Sequence, residues 1–411
     1  MIIDNMHDRR IEDYRDIAFD DINKIHKLAE SLKGYKITHV NSTSFGGGVA
    51  EILYALVPLM NSIGLKTSWE VIEAPQEFFT VTKKLHNSLQ GADISISDKE
   101  KELYLNVNKH NALKVLRLEG DVIFVHDPQP LGIKYFLSNN KKWIWRCHID
   151  LSKPYEPTWK FISNLLKGYN VSVYHMKEFV HPEVPTPKVY VIPPSIDPLS
   201  EKNREMKWSE IEKIVKRYDI NVEKPIITMV ARFDPWKDPL GAIDIYRRVK
   251  IKIPEVQLLM VSSMAHDDPE GWIYFEKTIR HAGEDHDIYF LTNLIGVGAR
   301  EVNAFQRVTT VILQPSIREG FGLTVSEGMW KKKPVVARPS GGIKLQVIDG
   351  VTGYFFENIE EAANKIIYLI KHPEVREKIG LNAHEHIKKN FIVTSHLLKY
   401  LEMLNDMMRR E

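Results

Sequence analysis

Two glutamates, Glu319 and Glu327, stand with seven residues between them, and the glycines Gly320 and Gly322 follow the first. A glycine-bearing turn lets backbone N–H groups approach an anion closely. Carboxylates accept hydrogen bonds from hydroxyl groups. The combination is a phosphate seat with one acid on each side. It suits a phosphorylated ligand that carries hydroxyls, and a sugar nucleotide is the commonest such molecule. Two cations, Arg232 and Lys237, stand five apart in ARFDPWKD, a spacing from which both can converge on a diphosphate. Taken singly, these residues read as a surface acid, an acid drawn to a helix dipole and a solvated cation pair. A glycosidase pair would need its carboxylates to face each other across a scissile bond, whereas both acids here flank one anion seat.

Such a seat needs particular elements behind it. Residues 309–313 are β-branched and apolar, as a buried parallel strand should be. REGFGL makes the turn, and Thr324 can cap a helix whose first turn carries Glu327. Pro334 ends that helix before a short strand, 335–337. A helix that starts at the carboxyl end of a parallel strand aims free N–H groups into the crevice where such sheets bind ligands. The cations fit the same logic: KPIITMVARF is a strand that ends in Arg232, and Lys237 lies near the start of the next helix.

The remaining chain alternates strand and helix, which predicts α/β folding with parallel sheets. A charged helical leader covers 1–35. A strand at 36–44 runs into a glycine turn with Gly46 and Gly47 and then a long apolar helix. The polar stretch 91–112 reads as a surface excursion. Strands at 121–130 and 141–150 end in His126 and Asp127, and in Arg146, His148 and Asp150. If the second strand continues, those last three face one way. Residues 195–224 contain the linker, giving domains of 1–215 and 216–392. GGIKLQVIDGVTGYFF reads as a glycine loop followed by a hairpin-like turn, and the chain is helical after 359.

Composition narrows the function classes. With 411 residues and 43% hydrophobic content the chain can bury two cores. Charged residues make up 27% and nearly balance at +2, so no bulk field recruits nucleic acid or membrane. The single cysteine, Cys147, excludes an intrachain disulfide and fits a reducing, cytoplasmic interior. The charged N-terminus is unlike a signal peptide, and no apolar run reaches membrane-spanning length. His384 and His386 diverge on a helix, and Asp267-Asp268 reads as a turn, so no metal site is expected. Lys, Glu and Ile richness is the composition of a thermophile.

The Glu-x7-Glu pair around GFGL resembles the signature of the family-four retaining glycosyltransferases. VNAFQRVTTVILQPSIREGFGLTVSEGMWKKKPVVA resembles, more narrowly, the trehalose synthases of that family and the related trehalose phosphorylases. The resemblance implies GT-B architecture, two Rossmann-like domains facing a central cleft, with a last helix of about 393–411 crossing back onto the first. It implies reversible, retaining transfer of glucose between a nucleoside diphosphate (ADP, UDP or GDP) and glucose, to form or break trehalose. By the same resemblance Arg232 and Lys237 hold the diphosphate, Glu319 meets the donor sugar and Glu327 grips the ribose. Gly46, Gly47, Gly320, Phe321, Gly322, Leu323 and Thr324 line the donor, and Asn293 is a candidate for the base pocket. His148 orients the transferred sugar, and His126, Asp127, Arg146 and Asp150 are candidates for its hydroxyls. No cofactor is required, although magnesium could accompany the nucleotide, and pairing into a homodimer is allowed. Many family members carry Pro-Glu after the Gly-Gly loop. Lys344 and Leu345 stand here instead, which removes an acid from that loop and agrees with the trehalose-forming subgroup. Two alternatives stay open: phosphorolysis of trehalose, and a catalytically silent sugar-nucleotide sensor.

Overall fold

The computed structural model describes residues 9–44, 47–116, 120–264 and 269–408. Gly46 and the Asp267-Asp268 turn lie outside them. The chain forms two compact units, Met1–Pro194 with Val393–Glu411, and Ser195–Ile392. The division falls at 194/195 rather than at 215/216. The reason is local: the segment after Ser195 is bonded into the second unit. Asn303 Nδ2 donates to the carbonyls of Glu201 and Arg204, both at 2.9 Å, and Lys331 Nζ donates to Asn203 Oδ1 at 2.9 Å.

The first unit runs α1 (Arg15–Ala29), β1 (Lys36–Asn41), α2 (Gly48–Ser62), β2 (Lys66–Val71), α3 (Gln76–Leu89), α4 (Asp98–Leu116), β3 (Val122–His126), β4 (Lys142–Arg146), α5 (Glu156–Leu166), β5 (Val171–Tyr174) and β6 (Lys188–Val191). Its six strands are parallel in the order β2-β1-β3-β4-β5-β6. Strands β3 and β5 are buried at every position, as sheets covered on both faces require. The supposed excursion at 91–112 is largely α4. Its polar sequence hides the helix because two of its buried residues are asparagines. Asn108 Nδ2 donates to the Gln129 carbonyl at 3.1 Å, and Asn111 Nδ2 to the Glu73 carbonyl at 2.9 Å. Such bonds offset much of the cost of burying an amide nitrogen.

The second unit runs α6 (Trp208–Arg217), β7 (Ile226–Val230), α7 (Pro239–Lys250), β8 (Gln257–Ser262), α8 (Pro269–Ala282), β9 (Ile288–Thr292), α9 (Ala299–Val308), β10 (Val311–Gln314), α10 (Leu323–Trp330), β11 (Val335–Ala337), the single turn α11 (Ile343–Gln346), β12 (Gly353–Phe355), α12 (Ile359–Lys371) and α13 (Pro373–Asn390). Its sheet is also parallel, in the order β12-β11-β10-β7-β8-β9. The hairpin expected near 353 is absent: β12 joins β11 in parallel, Val335 opposite Gly353. A final helix, α14 (Val393–Met408), belongs to the first unit and packs on α1 and α2. Each sheet has a topological switch point, where strand order reverses and a crevice opens at the carboxyl ends. In the first unit it lies between β1 and β3, and in the second between β7 and β10.

Candidate active site

Lys237 and the first acid meet at the switch point of the second unit. Arg232 and Lys237 follow β7, and Glu319 follows β10. A tight turn, 235–237, carries Lys237. The Asp234 carboxylate caps it by accepting from the Trp236 and Lys237 amides at 2.7 and 3.2 Å. The Trp236 carbonyl accepts from the Ile317 amide at 2.8 Å, and the Arg318 guanidinium lies 4.5 Å from the Trp236 ring centroid. These bonds stitch the post-β7 turn to the post-β10 loop. They bring Lys237 Nζ to 2.7 Å from Glu319 Oε2, with side chains 17% and 10% exposed. Ser316 Oγ donates to the same oxygen at 3.3 Å. Arg232 is different, with a side chain 67% exposed and its Nη2 at 3.7 Å from Asp234 Oδ2.

The GFGL turn has the backbone its sequence suggests, with one shift of register. Gly322 adopts φ +81 and is itself the N-cap of α10, so Thr324 lies inside the helix and caps nothing. Glu327 consequently falls in the second turn and not the first. It is buried, because α10 lies close on the sheet. A Cβ on Gly328 would come within 2.7 Å of Ile312 Cγ1. A buried carboxylate is expensive unless satisfied. Glu327 Oε1 lies 3.7 Å from Lys202 Nζ, and Glu327 Oε2 has no hydrogen-bond partner among the described residues. Leu323 and Thr324 occupy the first positions of α10, where backbone N–H groups lack intrahelical acceptors.

Sequence reasoning missed the groups that brace this turn. Gly342 donates its amide to the Gly320 carbonyl at 3.2 Å. Any Cβ there would stand 2.7 Å from Phe321 Cα. Gln346 accepts from Ser326 Oγ and donates to the Phe321 carbonyl. Lys331 is buried with Nζ on Asn203 Oδ1, Gln306 Oε1 and the Glu327 carbonyl, and burial lowers its pKa to about 7. The Gly-Gly pair was the one available signal for the brace. Asn293 serves a different end from the one expected. Its amide is committed to the backbone of Met264, accepting from N at 2.7 Å and donating to O at 3.0 Å.

In the first unit, Gly47 adopts φ +91 as the N-cap of α2, a conformation that favours glycine. Asp127 and His148 sit together beyond β3 and β4. The Asp127 carboxylate accepts from the His148 amide at 2.9 Å, and Asp127 itself adopts φ +65. Loss of solvation raises the Asp127 pKa to about 7, although the His148 amide and the Arg146 charge pull the other way. Arg146 is fully buried, with Nη1 on the Tyr174 carbonyl at 3.1 Å and Nη2 on the Ile192 carbonyl at 2.6 Å. It braces β4 to its neighbours through both terminal nitrogens, while its Nε has no hydrogen-bond partner among the described residues. Strand β4 stops at Arg146, so the shared face expected for Arg146, His148 and Asp150 does not form. Asp150 instead closes a turn, accepting from the Ser152 amide at 2.8 Å. His126 is likewise buried, inside a file of imidazoles. His39 Nδ1 faces His126 Nε2 at 2.9 Å, His126 Nδ1 faces His148 Nε2 at 3.1 Å, and His148 Nδ1 faces His175 Nε2 at 3.1 Å. Neither His39 nor His175 was singled out from sequence, although each lies on or just after a strand of the same sheet.

Comparison with known proteins adds an independent line. Residues 39–181 match the family described as trehalose synthase, N-terminal domain, and residues 210–386 match glycosyl transferases group 1. The chain is 55% identical to trehalose synthase of Pyrococcus horikoshii, over 97% of each chain. It is 28% identical to trehalose phosphorylase of Pleurotus pulmonarius, over 84% of this chain and 53% of that protein. Among solved structures, it is similar to the alpha,alpha-trehalose 6-phosphate synthase of Burkholderia multivorans, with a TM-score of 0.74 and 14% identity, covering 92% of this chain and 99% of that one. That likeness concerns the fold, which is of the GT-B type.

Proposed function

This chain belongs to the trehalose synthase family of group 1 glycosyltransferases, a family of hexosyltransferases, and from that premise we propose that it moves glucose reversibly between a nucleoside diphosphate and glucose. The observation that carries the reading is the buried Glu327 carboxylate, one oxygen of which has no hydrogen-bond partner among the described residues, one helical turn beyond the glycine turn. A pair of ribose hydroxyls would satisfy that oxygen, and the diphosphate would then lie over Gly320–Gly322 toward Arg232 and Lys237. Glu319, held by Lys237, is placed to accept from a hydroxyl of the transferred glucose.

The reaction follows from these roles. The acceptor hydroxyl oxygen forms the new bond to the anomeric carbon on the face that the diphosphate leaves. As the carbon–oxygen bond to phosphate breaks, the acceptor proton passes to a phosphate oxygen. The α configuration is thereby retained. Arg232 and Lys237 act by stabilising charge on the leaving diphosphate, where fixed cations contribute most. Asp127 and His148, at the strand ends of the first unit, would meet sugar hydroxyls. A cytoplasmic setting agrees with the buried, unpaired Cys147.

Phosphorolysis is the competing reading, supported by the similarity to trehalose phosphorylase. A lone phosphate would leave the Glu327 oxygen unanswered, which favours the nucleotide. Incubating the protein with trehalose and either a nucleoside diphosphate or inorganic phosphate separates them. Nucleoside diphosphate glucose as product supports the proposal, and glucose 1-phosphate from the phosphate arm alone overturns it. No turnover in either arm would favour a sensor.

A further inference from the structure

A cation stands beside Glu327 that sequence spacing does not mark. Lys202 Nζ lies 3.7 Å from Glu327 Oε1, with side chains 27% and 2% exposed. Lys202 belongs to the segment between Ser195 and α6, and that segment is fastened on both sides of it. On one side the Glu201 carbonyl accepts from Asn303 Nδ2 at 2.9 Å. On the other, the Asn203 carbonyl accepts from Trp330 Nε1 at 3.2 Å, and the Arg204 carbonyl from Arg307 Nη2 at 2.9 Å. Asn203 Nδ2 closes the turn on itself, donating to the Asp197 carbonyl at 3.0 Å and to Ser200 Oγ at 3.1 Å. The turn is thereby tied to α9 and α10, the two helices that flank β10 in sequence.

Lys331 sets the distance between this turn and the carboxylate. An ammonium has three protons. Those of Lys331 reach Asn203 Oδ1 at 2.9 Å, Gln306 Oε1 at 2.8 Å and the Glu327 carbonyl at 3.1 Å. One buried nitrogen therefore holds both the residue next to Lys202 and the main chain of Glu327. With its protons committed, Lys331 has none left for a ligand. Lys202, partly exposed at the end of a fixed turn, is the cation placed to act.

The spacing has a chemical consequence. At 3.7 Å the Lys202 and Glu327 atoms are too far apart for a direct hydrogen bond. An oxygen about 2.8 Å from each would bond to both. Such an oxygen must donate to a carboxylate and accept from an ammonium. A hydroxyl does both, whereas an ionised phosphate or a base carbonyl only accepts. We propose that Lys202 is a nucleotide-binding residue that shares one ribose hydroxyl with Glu327, donating to the oxygen whose proton Glu327 Oε1 accepts. The neighbouring hydroxyl of the diol is left to Glu327 Oε2. This rests on the function proposed above and adds to it a residue that reads the ribose and not the phosphates.

The test is calorimetric titration of the whole protein with ADP, UDP and GDP and with their 2′-deoxy and 3′-deoxy forms. The wild type should bind a ribonucleotide more tightly than either deoxy form. Lys202→Met should weaken the ribonucleotide about tenfold, as loss of a hydrogen bond from a charged donor does. It should leave the affinity for one deoxy form, the one that lacks the shared hydroxyl, within about threefold of wild type. Lys202→Ala carries the same comparison if the methionine variant does not fold. Equal losses for all three forms would mean that Lys202 acts on the diphosphate through its charge, and would overturn the proposal. An unchanged ribonucleotide affinity would overturn it too, while leaving the functional reading intact. A wild type that binds none of the three diphosphates strikes the functional reading itself, and this proposal with it.

Discussion

The ligand chemistry of the second unit turns on single carboxylates in unlike surroundings. Glu319 is already paired with Lys237, whereas Glu327 keeps a buried oxygen without a hydrogen-bond partner among the described residues. Glu327→Gln preserves shape but weakens acceptance from ribose hydroxyls. The expected result is a Michaelis constant for the nucleotide raised about tenfold, consistent with the roughly 1.5 kcal/mol or more of a hydrogen bond to a charged group. Discrimination against a 2′-deoxynucleotide should fall in parallel, and steady-state kinetics with both donors checks it. Equal losses for both donors would place Glu327 away from the ribose. The acids and cations of this site were visible in the sequence because their spacing and their glycines are chemical signals. Arg146 and Asn293 misled because polarity alone does not reveal whether a side chain faces a ligand or the backbone. Arg146 bonds two carbonyls, and Asn293 bonds both backbone groups of Met264.

At the scale of elements, the site depends on how two loops lean on each other. The Gly341–Gly342 loop supports the GFGL turn, and Gly342 is the point of closest approach. Its φ is ordinary, −67, so the demand is for space and not for backbone freedom. Gly342→Ala should push Phe321 and Gly320 outward. We expect a stability loss of about 1–3 kcal/mol from the overpacking and a fall of about tenfold in kcat/KM for the donor. Calorimetry and kinetics on that variant check both, and wild-type values would show that the turn tolerates the shift. Strand and helix order was readable because buried parallel strands such as IITMV and VILQ are apolar at all but one position. Helix α4 was not, since its inward face includes asparagines. The N-cap at Gly322 was not either, because a left-handed glycine can begin a helix as well as end a turn.

For the whole molecule, buried titratable groups link stability to pH. His39, His126, His148 and His396 have pKa values lowered chiefly by burial, His39 to about 3. Unfolded histidines take up protons below about 6.5 while these folded ones do not. Each therefore withdraws stability as pH falls through that window, by about 1.4 kcal/mol per pH unit once well below it. Asp127 has the opposite sign. Its folded pKa near 7 exceeds its unfolded value, so it adds stability as pH falls from 7 toward 4. Lys331, at about 7, adds no slope with pH below that value, where both states are protonated. The four histidines outnumber the two acids of this unit that burial raises, Asp127 and Asp21. Thermal unfolding of the first unit should come at distinctly lower temperature at pH 5 than at pH 7, and a flat profile would contradict the buried neutral file.

The central claim is that the crevice between β7 and β10 carries the charge of a departing diphosphate. Arg232→Ala addresses it most directly, because this side chain is 67% exposed and lies outside the hydrophobic core. In glucose transfer from nucleoside diphosphate glucose, the variant should lose about 100-fold in kcat, close to 3 kcal/mol of transition-state stabilisation. Its Michaelis constant for glucose should stay near the wild-type value. A kcat within twofold of wild type would contradict the account.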